Sequence, residues 1–222
     1  MLFREITMPA MTVTQYESRA ICADQLDPQD AETPFLGLVG EIGTLVSALK
    51  KKRRDTDAYF GYRDVVVEEI GDVLWYLSAV ARRGGTSLVE TIERVAGGVG
   101  DGNRLTFDDL VELTHDYDSE AFEFALLRLA GEAGDLAKRF ADAAYIGNPD
   151  ALRGDLIKLV RPLAQAAIAA DISLDEAVAF NVAKMDDRWP IDRTFPTPKD
   201  SGLHTSTNNC RAICGYWSMS AK

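Results

Sequence analysis

The chain has 222 residues, 46% hydrophobic and 27% charged, which is enough to bury a real core as one large domain or two small ones. Its formal charge of -11 argues against broad binding to the phosphate backbone of DNA or RNA, because that mode needs clustered Lys and Arg. Nucleotides stay open, since bridging cations can hold them.

No run approaches the roughly 18 apolar residues of a membrane span, so no membrane partner is expected. MLFREITMPAM is too short and mixed for a signal peptide. Cys22, Cys210 and Cys214 form an odd, scattered set that fits a reducing cytoplasm. Cys210 and Cys214 have only His204 nearby, which argues against structural zinc.

The three-to-four spacing of apolar residues predicts an all-α bundle. Val13 to Leu26 reads as a first helix, with Thr12 or Thr14 as its cap. Phe35 to Lys52 is a second, apolar along Leu36, Val39, Ile42, Leu45, Val46 and Leu49. Asp64 to Arg83 is a third and ends at Gly84-Gly85. Ser87 to Val95 is a short fourth, with Thr86 or Ser87 as cap and Glu90 placed for a capping box. AGGVGDGN, residues 96–103, reads as a glycine-rich linker. Leu105 to His115 and Ser119 to Tyr145 are helical, and Gly147-Asn148-Pro149 marks a turn. Ala151 to Ala170 is helical, but Pro162 should kink it or divide it. Ile172 to Trp189 follows, and the Pro, Ser, Thr and Asn rich stretch 190–222 reads as an extended or disordered tail.

The second half restarts the programme of the first. "LGLVGEIGTL" (36–45) parallels "LRLAGEAGDL" (127–136), and "GTSLVETI" (85–92) parallels "DISLDEAV" (171–178). "EEIGDVLWYLSAVA" (68–81) then falls opposite "GDLIKLVRPLAQAA" (154–167), with Lys158 where Asp72 stands. Chance likeness of helical hairpins is the competing account, but two blocks matching in order favour an internal duplication. The organisation is repeat one over 1–95, the linker 96–103, a degenerate repeat two over 104–189, and the tail.

Glu69 and Asp72 are at i and i+3 and share a helical face, while Glu68 and Asp72 at i and i+4 can also approach. Glu41 sits inside the apolar pattern of the preceding helix, so antiparallel packing would bring it towards both. Carboxylates that close either take up a proton or share a hard divalent cation. Taken singly, each acid also fits a solvated helix start.

Two stretches, "GLVGEIGTLVSALKKKRRD" (37–55) and "VVVEEIGDVLWYLSAVARRGGTSL" (65–88), resemble the MazG-like all-α nucleoside triphosphate pyrophosphohydrolases. The likeness covers about the first hundred residues well and the rest more loosely. It implies an E-x-x-E pair and a later E-x-x-D pair that bind Mg²⁺, with Mn²⁺ as a substitute. It also implies a four-helix core formed by two chains or two repeats, and hydrolysis of a nucleoside triphosphate to monophosphate and pyrophosphate. An intramolecular pseudo-dimer follows from the tandem repeat, and further pairing into a homodimer is left open. Carried onto this chain, the metal ligands are Glu41, Glu69 and Asp72, with Glu132 and Asp135 as weaker candidates. Glu41 is the candidate base, and Glu68 the alternative.

The chain departs from the family pattern at Thr44, which takes the second acid position of E-x-x-E. Repeat two has Glu132 and Asp135 but no E-x-x-D. The family's N-x-x-K-x-x-x-R element occurs only in repeat two, as "NVAKMDDR", and implies substrate contacts from Asn181, Lys184 and Arg188. A composite site follows, with metal on repeat one and polar contacts from repeat two. Lys184 and Arg188 equally fit an exposed helix end. Lys50 and Lys51 open the one strong basic run and could grip phosphates or simply suit a helix C-terminus. Trp75 is expected in the core. His115 and His204 have no triad partners in view.

Overall fold

A computed structural model describes residues 10–98, 101–114 and 121–189. The predicted tail 190–222, with Cys210, Cys214 and His204, lies outside the described residues, as do His115 and the middle of the glycine-rich segment. Eight α-helices pack together, and no strand occurs among the described residues. None of these helices is long and apolar enough to cross a membrane.

Helix α1 (Val13–Ala23) starts at a capping box, in which Thr12 Oγ1 accepts from Gln15 N and the Gln15 side chain accepts from Thr12 N. Helix α2 (Glu32–Asp55) outruns its predicted span at both ends, and a short 3₁₀ turn, Thr56–Ala58, follows it. Gly61, at φ 75°, turns the chain into α3 (Tyr62–Arg83), a conformation that an L side chain rarely adopts. Helix α4 (Leu88–Val95) is capped by Ser87, whose hydroxyl accepts from Glu90 N. The expected capping box is only half made. The Glu90 carboxylate turns instead to the Thr86 hydroxyl at 2.8 Å and to Arg153 at 3.2 Å.

Helices α5 (Phe107–Thr114), α6 (Phe122–Ala141), α7 (Pro149–Ala169) and α8 (Leu174–Arg188) complete the chain. Of the two expectations for Pro162, division of the helix is overturned: α7 runs unbroken from Pro149 to Ala169. Leu156, Leu159, Leu163 and Ala166 are buried on both sides of it, so packing carries the helix past one missing ladder bond. Residues of the predicted linker are also tied down. Gly102 N donates to Glu93 Oε1 at 2.8 Å, and Gly102 O accepts from Thr14 N at 3.1 Å.

Helices α2 and α3 form one hairpin, and α6 and α7 another. The hairpins meet through α2 and α6, which run antiparallel: Phe35 near the start of α2 stacks on Phe140 near the end of α6, at 4.0 Å. Arg53, at the far end of α2, pairs with Glu123 at the start of α6. One continuous core follows, with Ile42, Leu45, Ile70, Leu74, Leu126 and Leu129 enclosed. The last helix of each half packs on the other half's hairpin, α8 on α3 and α4 on α7, while α1 lies across α8, α3 and α4. The crossing of α8 onto α3 builds the site.

Candidate metal centre

Glu41 comes from the middle of α2, and Glu69 and Asp72 from successive turns of α3. Each offers a carboxylate oxygen within 4.8 Å of the other two, and all three side chains are half-buried. Among the described residues this is the group of acids that could hold a metal ion. Burial, then the hydrogen-bonded Glu41 carboxyl, then the charges of Asp72 and Glu68 push the Glu69 pKa up to about 8. At neutral pH Glu69 therefore keeps a proton. Its Oε2 is enclosed without a hydrogen-bond partner. An orphaned carboxyl oxygen between two further carboxyls is the donor set that a hard divalent cation takes, so these residues fit one.

Helix α8 faces these acids. Lys184 Nζ lies 2.5 Å from Asp72 Oδ2 and 2.7 Å from Glu68 Oε1. Burial works against the Lys184 charge, but the hydrogen bonds to Asp72 and Glu68 outweigh it and raise the pKa, so the group is an ammonium. Asn181 Nδ2 donates to Asp72 Oδ1 at 2.8 Å. This close approach depends on Gly71: a Cβ there would stand 2.7 Å from the Ala177 carbonyl oxygen and 2.8 Å from Asn181 Cβ. Gly37 serves α2 in the same way, because a Cβ would overlap the Tyr76 ring.

A cavity of about 210 Å³ opens beside the cluster. One side carries Glu41 and Asp72, the α8 side carries Asn181, Lys184 and Arg188, and Trp75, Tyr76 and Trp189 supply aromatic surface. Trp75 is half-buried and packs against the core while also facing the cavity. It packs edge-on to Tyr76 at 4.8 Å, lines the cavity, and has its Nε1 enclosed without a partner.

Other candidates stand apart. Lys50 and Lys51 are exposed near the C-terminal end of α2 and do not line the cavity, being about 13 Å or more beyond Glu41 along the helix. Thr44 is exposed, and its hydroxyl bonds back to Gly40 O at 3.2 Å. Glu132 and Asp135 lie on α6 outside the metal-capable group. On α7, where the sequence places Asp155 and Lys158 opposite Glu69 and Asp72, the Lys158 ammonium bonds Asp155 Oδ1 at 2.8 Å and Arg139 reaches Oδ2 at 3.0 Å. Built-in cations occupy that acid.

The sequence reading did not find Tyr16, Gln25, Leu26, Met185 or Trp189. None has a local pattern that marks it, because each is defined by a contact across the fold. No family model, curated protein or solved structure matches this chain.

Proposed function

We propose that the protein is a divalent-cation-dependent nucleoside triphosphate pyrophosphohydrolase. The observation that supports this reading best is one cavity with Glu41 and Asp72 on one side and Lys184 and Arg188 on the other. Glu41, Glu69 and Asp72 would hold Mg²⁺, or Mn²⁺ in its place, and the bound ion would offset negative charge on the triphosphate oxygens. Lys184 and Arg188 would bind the phosphates at the α8 side, and Trp75, Tyr76 and Trp189 would give the base an apolar surface. Glu41 would take the proton from a water that attacks the α-phosphorus. Glu68 is the poorer base, because Lys184 already engages its carboxylate. The pairing of α8 with α3 supports a composite site, with metal ligands from the first half and cationic contacts from the second.

Pure protein incubated with a panel of nucleoside triphosphates and Mg²⁺ should release monophosphate and pyrophosphate. Glu69→Gln should abolish that release, and turnover by the variant at the wild-type rate would overturn the assignment. A nucleotide-binding relative without turnover is the second reading. The exposed Thr44, which leaves the cluster one acid short, favours it. Binding without pyrophosphate release would select it.

A homodimer belongs to the same proposal. Leu36 and Val39 on α2 and Phe124 and Leu127 on α6 are exposed on the outer layer. From Leu36 to Leu49 no exposed position of α2 carries a charge. Two helices of this length offer roughly 600 Å² per partner, near the lower bound for a stable dimer.

A further inference from the structure

Both polar ends of Asn181 are engaged inside the protein. Its Oδ1 accepts from the Tyr16 hydroxyl at 3.0 Å, and its Nδ2 donates to Asp72 Oδ1 at 2.8 Å. Asn181 is 2% exposed and Tyr16 is fully enclosed, so water does not compete for these bonds. The Tyr16 ring stands edge-on to Phe107 at 5.2 Å, and its hydroxyl also reaches Gly71 O at 3.5 Å. Burial first, and then the Asp72 charge, keep the phenol protonated by raising its pKa far above the ordinary value. The order of donors is therefore set: the phenol donates to the amide oxygen, and the amide NH₂ donates to the carboxylate.

An amide turned the other way would aim its oxygen at Asp72. The Tyr16 hydroxyl gives that oxygen a better place, and so helps to hold the NH₂ against the carboxylate. Asp72 Oδ1 is then steered by α8 and α1 together, across sequence separations of 109 and 165 residues.

We propose that Tyr16 is a positioning residue for the metal centre: acting through Asn181, it holds the Asp72 carboxylate in the orientation that binds a divalent cation. This rests on the cation reading of Glu41, Glu69 and Asp72. Asn181 thereby acts on a metal ligand, in place of the substrate contact that its sequence motif implies. Outer partners of metal ligands typically contribute about 10–100-fold in affinity, so removing a single hydroxyl should be measurable.

The test uses the full chain and Mn²⁺ alone, with free Mn²⁺ followed by electron paramagnetic resonance. Tyr16→Phe keeps the ring that packs on Phe107 and should weaken Mn²⁺ binding by about 10-fold. Asn181→Ala should lose at least as much, and the double variant no more than Asn181→Ala, because both act along one path. Tyr145→Phe removes another enclosed hydroxyl, bonded to Asp155 at 2.7 Å away from the centre, and should leave Mn²⁺ affinity unchanged. Wild-type affinity in Tyr16→Phe, or losses that add in the double variant, would overturn the proposal. Should Tyr16→Phe fail to fold, wild-type affinity in Asn181→Ala does the same. Asp72→Asn separates the two levels. If it loses Mn²⁺ while Tyr16→Phe does not, the centre stands and the positioning role falls. If wild type binds no Mn²⁺, or Asp72→Asn binds it unchanged, both fall.

Discussion

Glu69 meets a conflict that no single-residue preference resolves: its carboxyl is enclosed beside Glu41 and Asp72, and its pKa rises from 4.5 to about 8. Between those values the unfolded chain has lost the proton and the folded chain retains it. Raising the pH through that window therefore favours unfolding, and above about 8 the effect is complete. Metal-free wild type should lose thermal stability relative to Glu69→Gln as pH rises from about 5 to about 8, read from melting curves in chelator. A gap that stays constant with pH would contradict the protonated carboxyl. Gly71 carries a second prediction at this scale. Because Ala177 O and Asn181 Cβ would be 2.7 and 2.8 Å from its new Cβ, Gly71→Ala should push α8 away from α3. The cost should be about 1–3 kcal/mol in denaturant unfolding, with Mn²⁺ affinity falling in parallel. The E-x-x-D spacing was legible in the sequence because i, i+3 geometry is local. That one of these acids would take up a proton or share a cation was legible too; that Glu69 is the one was not, because burial first and then Glu41 on another helix decide it.

The helices themselves rest on local chemistry that a linear reading can follow. Thr12 caps α1, Ser87 caps α4, and α3 and α6 follow their apolar periodicity, whereas α2 buries Phe35, Leu38, Ile42 and Leu45 and leaves Leu36 and Val39 of the expected apolar side exposed. Where that reading misjudged an element, a neighbour decided. Burial of α7 on both sides of Pro162 kept it one helix where a division was one expectation, and Arg153 with Thr86 drew Glu90 out of its capping box. The start of α8 is held by another helix. Asp108 on α5 accepts from Ser173 Oγ at 2.7 Å and from Leu174 N at 2.8 Å, and Asp175 on α8 returns the favour by accepting from Phe107 N at 2.9 Å. Asp108→Ala should cost about 1–2 kcal/mol by urea unfolding, as for loss of a helix cap. Since α8 bears Asn181 and Lys184, the same variant should weaken Mn²⁺ binding. Unchanged stability would show that Ser173 alone holds this helix start.

Across the whole molecule, the crossing of the two halves sets which residues meet. Helix α8 lies on α3, so Lys184 and Asn181 complete a centre whose acids lie about a hundred residues earlier. On the outer layer, Leu127 is 61% exposed and Leu36 is 74% exposed, on the two helices that join the hairpins. Analytical ultracentrifugation should find a dimer for the wild type and a monomer for Leu127→Glu, with the helical signal unchanged. A wild-type monomer at all accessible concentrations would remove the dimer from the proposal.

By itself the sequence determined an all-α chain, the approximate bounds of its helices, and a shared face for Glu69 and Asp72, because periodicity, caps and i, i+3 spacing act within a few residues. Only the tertiary structure decided that Glu41 stands within 4.8 Å of that pair, that Lys184 engages Asp72 and Glu68, that Lys50 and Lys51 lie away from the cavity, and that Tyr16 reaches Asn181. These depend on which helix packs on which and on glycines that let backbones approach, and such contacts leave no mark at short range along the chain.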